Sequence, residues 1–349
     1  MHRVSISLVS TVLNDKDGAE HLLKDLRNQS RIPDEFVILD GGSTDGTFEL
    51  LQNAAREQPY NLRVLQERGA NVSRGRNLAI ENARHDIVLT TDFGCRLHRN
   101  WIKELVTPFE DNPAVEIVTG SWKIRDDDIR TPVQWAEWAL AGGRIGLTAT
   151  PTCLASTRSL AFRRRAWLDF GRYPEDLTLA GDDAIFSLWM VAAKRNIAAA
   201  PEAICYWHRF QNLWSYFKEA RRNFRGAGEA MVFLSYGVCV GFTFVLELAS
   251  AAAVVLLIVA AFLGVATWVA VSFTATVAVL FWLRRITRWI RSARLLASVG
   301  RSHYWPWVIA LESGTRWNSL LGYCQGLIGG FRKARDCRRR LKTLGVSRW

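Results

Sequence analysis

The chain contains no C-x-x-C pair. Its six cysteines, Cys95, Cys153, Cys205, Cys239, Cys324 and Cys337, lie far apart. That argues against a zinc site and against a disulfide framework, and it fits a reducing compartment for the N-terminal part. A secretory leader is also missing. Val4 to Leu13 is apolar but rich in β-branched residues and runs straight into Asn14-Asp-Lys-Asp17, so it reads as a first strand. Acidic residues are scarce at the C-terminal end. From Arg284 onward there are 15 Lys/Arg against two acids, Glu312 and Asp336, a balance of +13. Residues 1–283 then hold the remaining 30 Lys/Arg and 31 Asp/Glu, a balance of −1. The basic surplus belongs to the end of the chain, and nucleic-acid binding by the main domain is not expected.

Charge and proline are both absent from Leu248 to Leu283, a run of 36 residues. As one helix it would be about 54 Å long, against a hydrocarbon core of about 30 Å. The expectation is a hairpin of two spans, about 244–264 and 267–283, turning at Gly264-Val-Ala-Thr267, with Glu247 near the headgroups. Arg221, Arg222 and Arg225 precede it; Arg284, Arg285, Arg288, Arg291 and Arg294 follow. Basic residues on both flanks place both ends on the cytoplasmic side, in a multi-pass cell-membrane protein. The arginines after the hairpin recur at helical spacing among Ile286, Trp289, Ile290 and Ala293, a basic amphipathic pattern suited to an anionic leaflet. Leu320 to Gly330 is too short to span alone. It reads either as re-entrant or as a partner of Trp305–Leu311. Arg332 to Lys342 is a polybasic tail, bound to lipid or simply solvated.

What is present before the membrane run is an alternation. Strands are expected near 4–12, 36–39, 62–66, 86–91 and 115–122. Helices are expected near 17–29, 46–57, 72–83 and 99–109. Such alternation implies an α/β fold with a mostly parallel sheet and helices on both faces. Functional residues then gather at the strand carboxyl ends. Asp40 ends the second strand and Asp92 the fourth. Asp40 opens the glycine-rich turn Asp40-Gly-Gly-Ser-Thr-Asp-Gly-Thr47, whose glycines let backbone approach a ligand closely.

Four segments in order resemble family 2 glycosyltransferases of the GT-A fold with a C-terminal membrane anchor. They are Ser7–Asn14 with Leu22–Gln29, the Asp40–Thr47 loop, Gly69–Asn77 with Ile87–Cys95, and Ser159–Arg163 through Gly171–Asp176 to Gly181-Asp-Asp183. The resemblance covers about 4–225. It implies a cytosolic catalytic domain over 1–230, a transmembrane hairpin within 231–283, and a basic interface region with its tail over 284–349.

The resemblance also implies roles. A nucleotide-diphosphate sugar is the donor, and a lipid-linked or envelope-polysaccharide molecule the acceptor. Asp40 would accept from the base, and Ser10 and Asn14 of the opening strand would be substrate-binding residues. Asp92 would bind ribose or hold a divalent cation, Mg²⁺ or Mn²⁺. The chain departs from the D-x-D pattern here, because Gly94 stands where the second aspartate belongs. His208, in Tyr206-Trp-His-Arg209, either adds a ligand or is a packed or surface residue. Arg76 either meets phosphate or forms a structural Arg–Asp pair. Asp183, second of the pair with Asp182, is either the catalytic base of an inverting transfer or a helix cap. Arg221 and Arg222 either close over the diphosphate or flank the membrane. Asp126-Asp-Asp128 reads as a solvated loop. Trp135 and Trp138, around Glu137, offer either a sugar-stacking face or core packing. Two rivals stand beside this reading: a catalytically silent nucleotide-binding scaffold, and a soluble sugar-phosphate nucleotidyltransferase, whose phosphate loop would follow the first strand.

Overall fold

The computed structural model describes residues 3–152, 155–178, 181–263 and 268–346. Its first half follows the expected alternation. It runs β1 (Ile6–Val12), α1 (Lys16–Arg27), β2 (Glu35–Asp40), α2 (Thr47–Ala54), β3 (Asn61–Gln66), α3 (Val72–Asn82), β4 (Ile87–Thr90), β5 (Cys95–Leu97) and α4 (Trp101–Asp111). Next come β6 (Ile117–Lys123), α5 (Pro132–Leu140), β7 (Gly146–Leu147), β8 (Leu160–Arg163), α6 (Arg164–Phe170), α7 (Asp182–Ala192) and β9 (Ile197–Trp207). Five helices finish the chain: α8 (Leu213–Ala230), α9 (Leu234–Phe262), α10 (Trp268–Ser298), α11 (Trp305–Lys333) and α12 (Arg335–Thr343).

The strands form one sheet in the order β3-β2-β1-β4-β8-β6-β9-β5, with β7 paired to β6. Side chains alternate across it, as a period of two requires. Leu8, Phe36 and Ile38 enter a core shared with α1 and α4. Val9, Val37 and Leu39 enter the opposite core, shared with α3, α6 and α7. Every residue of β2 is buried, the mark of a central strand covered on both faces.

The sheet is mixed, not uniformly parallel. β3, β2, β1 and β4 run parallel, but β8 pairs antiparallel with both β4 and β6. The alternation stops at β6, where the chain makes an excursion through α5 and β7. It returns as the four-residue strand β8, whose direction no periodicity encodes.

The expected transmembrane hairpin is not supported by the described residues. Among the described residues no helix is long and apolar enough to cross a membrane. The proposed turn at 264–267 lies outside the described residues, as do most side chains of 264–281. Glu247 lies inside α9 and pairs with Arg285 of α10 and Arg316 of α11, each at 2.7 Å. Arg285 also pairs with Glu312 at 2.6 Å. Beyond this charged tie, Leu248 to Phe262 supplies only about 22 Å of helix, against roughly 30 Å of hydrocarbon. α9 and α10 run antiparallel, with Trp282 donating to Ser250 at 3.0 Å.

The end of the chain returns to the α/β half. Trp305–Leu311 and Leu320–Gly330 lie in the single helix α11, neither re-entrant nor paired with each other. That helix lies along α8, and glycines bring the two backbones together. A Cβ at Gly322 would stand 2.2 Å from the Arg221 carbonyl, and one at Gly326 2.2 Å from that of Arg225. The polybasic segment is no free tail. Cys337 and Leu341 of α12 are buried in the core, and Asp176 accepts from the backbone of Asp336 and Cys337 at the helix start. Amphipathic spacing hid this, because the basic residues occupy only one face.

Trp135 and Trp138 pack edge to face, 5.2 Å apart, in a cluster with α8, α10 and α11. Glu137 pairs with Arg209 at 2.7 Å. These residues are core, not a sugar platform.

Candidate active site

A cavity of about 450 Å³ opens at the carboxyl ends of β1 and β4. A second, of about 310 Å³, adjoins it and is lined by Gly41, Asn71, Ser73 and Gly75. Thr11, Val12, Leu13, Val72 and Asp182 border both. The carboxyl edge of the parallel strands is where α/β sheets bind ligands, and the elements put it there: β1 and β4 are neighbours, and α3 starts beside them.

Asp92, Asp182, Asp183, Arg76 and Arg222 all line the larger cavity. Arg76 is buried at its centre. Its Nη1 donates to Asp182, and its Nη2 lies 3.1 Å from Asp92 Oδ1. Burial works against its charge, but the carboxylates of Asp182 and then Asp92 outweigh that and raise its pKa. Of its two readings, the structural Arg–Asp pair is the one observed.

α3 also fixes the segment leading to the acidic pair. Asn77 donates to the Tyr173 carbonyl at 2.9 Å, and Asn71 to the Glu175 carbonyl at 2.7 Å. Thr178 is held by Glu229 of α8, through its backbone N–H at 2.8 Å and its hydroxyl at 2.6 Å. Gly181, at φ +105°, then turns the chain into α7. It is the N-cap, with no side-chain cap bond. Asp182 and Asp183 are therefore the first helical residues, not caps. Burial pushes the Asp183 carboxyl above its ordinary pKa, and the neighbouring Asp182 charge adds to this; Arg76 and Arg158 offset part of it. A carboxylate whose pKa is raised in a cavity is suited to accept a proton.

Four expected binding residues do not line either cavity. Asp40 is fully buried, and its Oδ1 accepts from Gly42 N–H at 2.8 Å, Ser43 N–H at 2.9 Å and the Gln66 amide at 3.0 Å. Burial would raise its pKa, but these bonds and one from the Ser43 side chain win and lower it. Its Oδ2 is buried without a partner. Asp40 thus shapes the glycine loop from below. Ser10 donates to the Thr91 carbonyl at 2.7 Å, tying β1 to the segment after β4. Asn14, at φ 52°, accepts from Thr44 N–H at 2.8 Å, while its own N–H donates to Ser43 Oγ. It clamps two loops together. Arg221 turns to α11, where it donates to Gln325 at 3.0 Å. One helical step separates it from Arg222, which explains why adjacent arginines divide between helix packing and the cavity.

His208 faces Asp128 at 3.4 Å, away from the cavity. Among the described residues no three His, Cys, Asp or Glu converge as metal ligands. Asp92 is the single carboxylate at the D-x-D position, with about a third of its side chain exposed. The donor set fits a divalent cation only as one held between Asp92 and phosphate oxygens, a mode common for Mg²⁺.

Sequence reasoning missed Arg158. It enters the cavity from the loop before β8, its guanidinium 3.7 Å over the Trp207 ring. A single arginine in Ser156-Thr-Arg-Ser159 carries no spacing signal.

Residues 7–170 match the model described as Glycosyl transferase family 2. This stretch, a little under half of the chain, is similar to family 2 glycosyltransferase domains and supports a glycosyltransferase. The poly-beta-1,6-N-acetyl-D-glucosamine synthase of Staphylococcus aureus (strain MSSA476) is 23% identical over 231 residues, 65% of this chain and 55% of that protein. The synthase of the same description from Staphylococcus epidermidis is 22% identical over 235 residues. The chain thus spans about half the length of these curated relatives. Among solved structures, the mannosyltransferase PcManGT from Pyrobaculum calidifontis, in complex with GDP-Man and Mn²⁺, aligns with a TM-score of 0.57 at 19% identity. That match covers 91% of this chain and 88% of that one, and it shows a shared fold.

Proposed function

We propose that this glycosyltransferase domain works at a membrane surface as an inverting enzyme. It moves a sugar from a nucleotide-diphosphate sugar to a lipid-linked or envelope-polysaccharide acceptor. The observation that carries this reading is Asp183, a carboxyl with a raised pKa in a cavity that also holds Arg158 and Arg222. The smaller cavity, beside the glycine loop and the start of α3, takes the nucleoside. The diphosphate lies toward Arg222, and the sugar's anomeric carbon toward Asp183. A divalent cation would be held by Asp92 and the donor's phosphates, and would supply charge neutralisation there.

The acceptor hydroxyl attacks the anomeric carbon opposite the leaving group. Its proton passes to Asp183, the new C–O bond forms, and the bond to the β-phosphate oxygen breaks. The nucleoside diphosphate departs with that electron pair. Arg76 is paired with Asp182, whose neighbouring charge helps to hold the pKa of Asp183 up.

Membrane attachment is supported by exposed apolar side chains on α9. Val238, Phe242, Val245, Leu248, Val255, Ile258 and Phe262 are all exposed. Patches of this kind mark contact surfaces, and the exposed Arg288, Arg291 and Arg294 of α10 suit anionic headgroups. The apolar end of the α9–α10 hairpin enters lipid without crossing it, and the catalytic domain stays on the side it entered from, the cytoplasmic one. The relatives' polysaccharide-synthase activity supports an envelope polysaccharide as product.

The test is a panel of radiolabelled nucleotide sugars, followed by release of the nucleoside diphosphate from the full chain in anionic vesicles. Release from one donor above the Asp183→Asn background supports an enzyme. Donor binding with no release in the presence of lipid-linked acceptors would favour the silent scaffold.

A further inference from the structure

Three guanidiniums line the larger cavity, and they are not equivalent. Arg76 is committed to Asp182 and Asp92, with 9% of its side chain exposed. Arg222 stands exposed on the α8 wall. Arg158 lies between these extremes. Its guanidinium is laid on the Trp207 ring at 3.7 Å, and its Nη1 is 3.0 Å from Ser156 Oγ. Among the described residues its one ion pair is with Asp92 Oδ2, at 3.8 Å from Nε. That distance is beyond a hydrogen bond. The group is held in place by stacking, yet among the described residues most of its N–H donors meet no acceptor. A planar guanidinium fixed in this way is prepared for two oxygens of one phosphate.

The opposite side of the same site explains the need. Gly94 lies where a second acid would hold a cation, and it also lines the cavity. A Cβ there would meet nothing within 4 Å, so crowding does not explain the glycine. Three carboxylates, Asp92, Asp182 and Asp183, face the incoming diphosphate. Arg76 answers only the first two. With a weakened cation site, a protein cation has to offset the charge of the leaving group.

We propose that Arg158 binds the donor's diphosphate directly and stabilises it as it departs, taking over much of the role that the acid missing at Gly94 would give to a metal. The inference rests on the reading of this cavity as a nucleotide-diphosphate-sugar site. Stacking on Trp207 sets the guanidinium plane, while Arg222 closes from the far wall. Diphosphate affinity therefore survives removal of divalent cations.

The experiment compares full-length wild type, Arg158→Gln and Arg158→Lys. Calorimetry measures the four ribonucleoside diphosphates and their nucleosides, in Mg²⁺ and in excess EDTA. For the base that binds, wild type should favour the diphosphate over the nucleoside in both buffers. Arg158→Gln should lose at least tenfold in diphosphate affinity in EDTA with nucleoside affinity unchanged, and Arg158→Lys should recover part of it. Unchanged nucleoside affinity separates a lost phosphate contact from a collapsed site. The proposal is overturned if EDTA abolishes the wild-type preference for diphosphate. It is also overturned if Arg158→Gln binds diphosphate like wild type, or if Arg158→Gln and Arg158→Lys lose nucleoside and diphosphate affinity equally. If no nucleotide binds in either buffer, the functional reading itself fails, and this inference with it.

Discussion

Arg76 and Asp182 are 106 residues apart in the chain, yet the guanidinium of one donates to the carboxylate of the other inside the cavity wall. The pair fastens α3 to the start of α7, and Asp92 joins it from the end of β4. The acidic motif, the D-x-D remnant and the helix between them thus form one charge network.

That network sets the first expectation. Arg76→Ala would leave Asp182 buried without its cation. Breaking a buried pair from one side costs about 3–5 kcal/mol. Urea unfolding of the variant should show this loss, and Arg76→Lys should recover only part, since an ammonium cannot fork between two carboxylates. A change below about 0.5 kcal/mol for Arg76→Ala would mean the pair carries no structural weight.

The sequence was most legible where periodicity was strong. The apolar run Phe36–Leu39 with Asp40 marked β2, and the helix expected near 72–83 is α3, whose N-cap Asn71 accepts from Arg74 N–H. The motif residues Asp92, Asp182, Asp183, Arg76 and Arg222 do share one cavity. What could not be read was tertiary. β8 is too short for its direction to be encoded. Glu247 looked like a headgroup residue until Arg285 and Arg316 met it. Asp40 has the position of a ligand-binding acid, but its oxygens turn inward to the loop. Arg158 owes its place to Trp207, on a strand 49 positions later in the sequence.

Asp40 accordingly calls for a different outcome from that of a surface ligand. Asp40→Ala removes three hydrogen bonds to a buried carboxylate, and bonds to charged groups contribute about 1.5–3 kcal/mol each. The domain should be destabilised measurably before any loss of donor affinity is assessed. Because its folded pKa lies below the ordinary value, its contribution is present above the unfolded pKa and is lost as pH falls through the folded one. Wild type and Asp40→Asn should therefore differ most in denaturation midpoint near neutral pH and converge in acid. A difference that is independent of pH would show that the charge is not what the loop uses.

The proposed membrane attachment through α9 has a direct readout. Phe242 and Phe262 are exposed on the stripe at 63% and 89%. Replacing both with Asp puts charge on the lipid face without touching the Glu247–Arg285–Glu312 tie. Co-sedimentation with phosphatidylglycerol vesicles should fall at least tenfold, and the catalytic domain should keep its unfolding midpoint. Sedimentation equal to wild type would move the lipid contact away from α9.

Asp183 supplies the sharpest test. As the base it must be ionised, so turnover should fall as pH drops through its raised pKa, and the acid limb should lie above the ordinary carboxylate range. Asp182→Asn removes the neighbouring negative charge that helps to raise that pKa, and it also leaves Arg76 less occupied. Both effects favour the ionised form, so the acid limb should move to lower pH. Asp183→Asn should keep donor affinity while turnover at saturating donor drops by roughly 10²–10⁴. Asp183 Oδ1 accepts from the Ala184 N–H at 2.8 Å, a bond that the amide oxygen of Asn can keep, so the unfolding midpoint should change little. Near-normal turnover in Asp183→Asn, or an acid limb that Asp182→Asn leaves in place, would assign the proton transfer to another group.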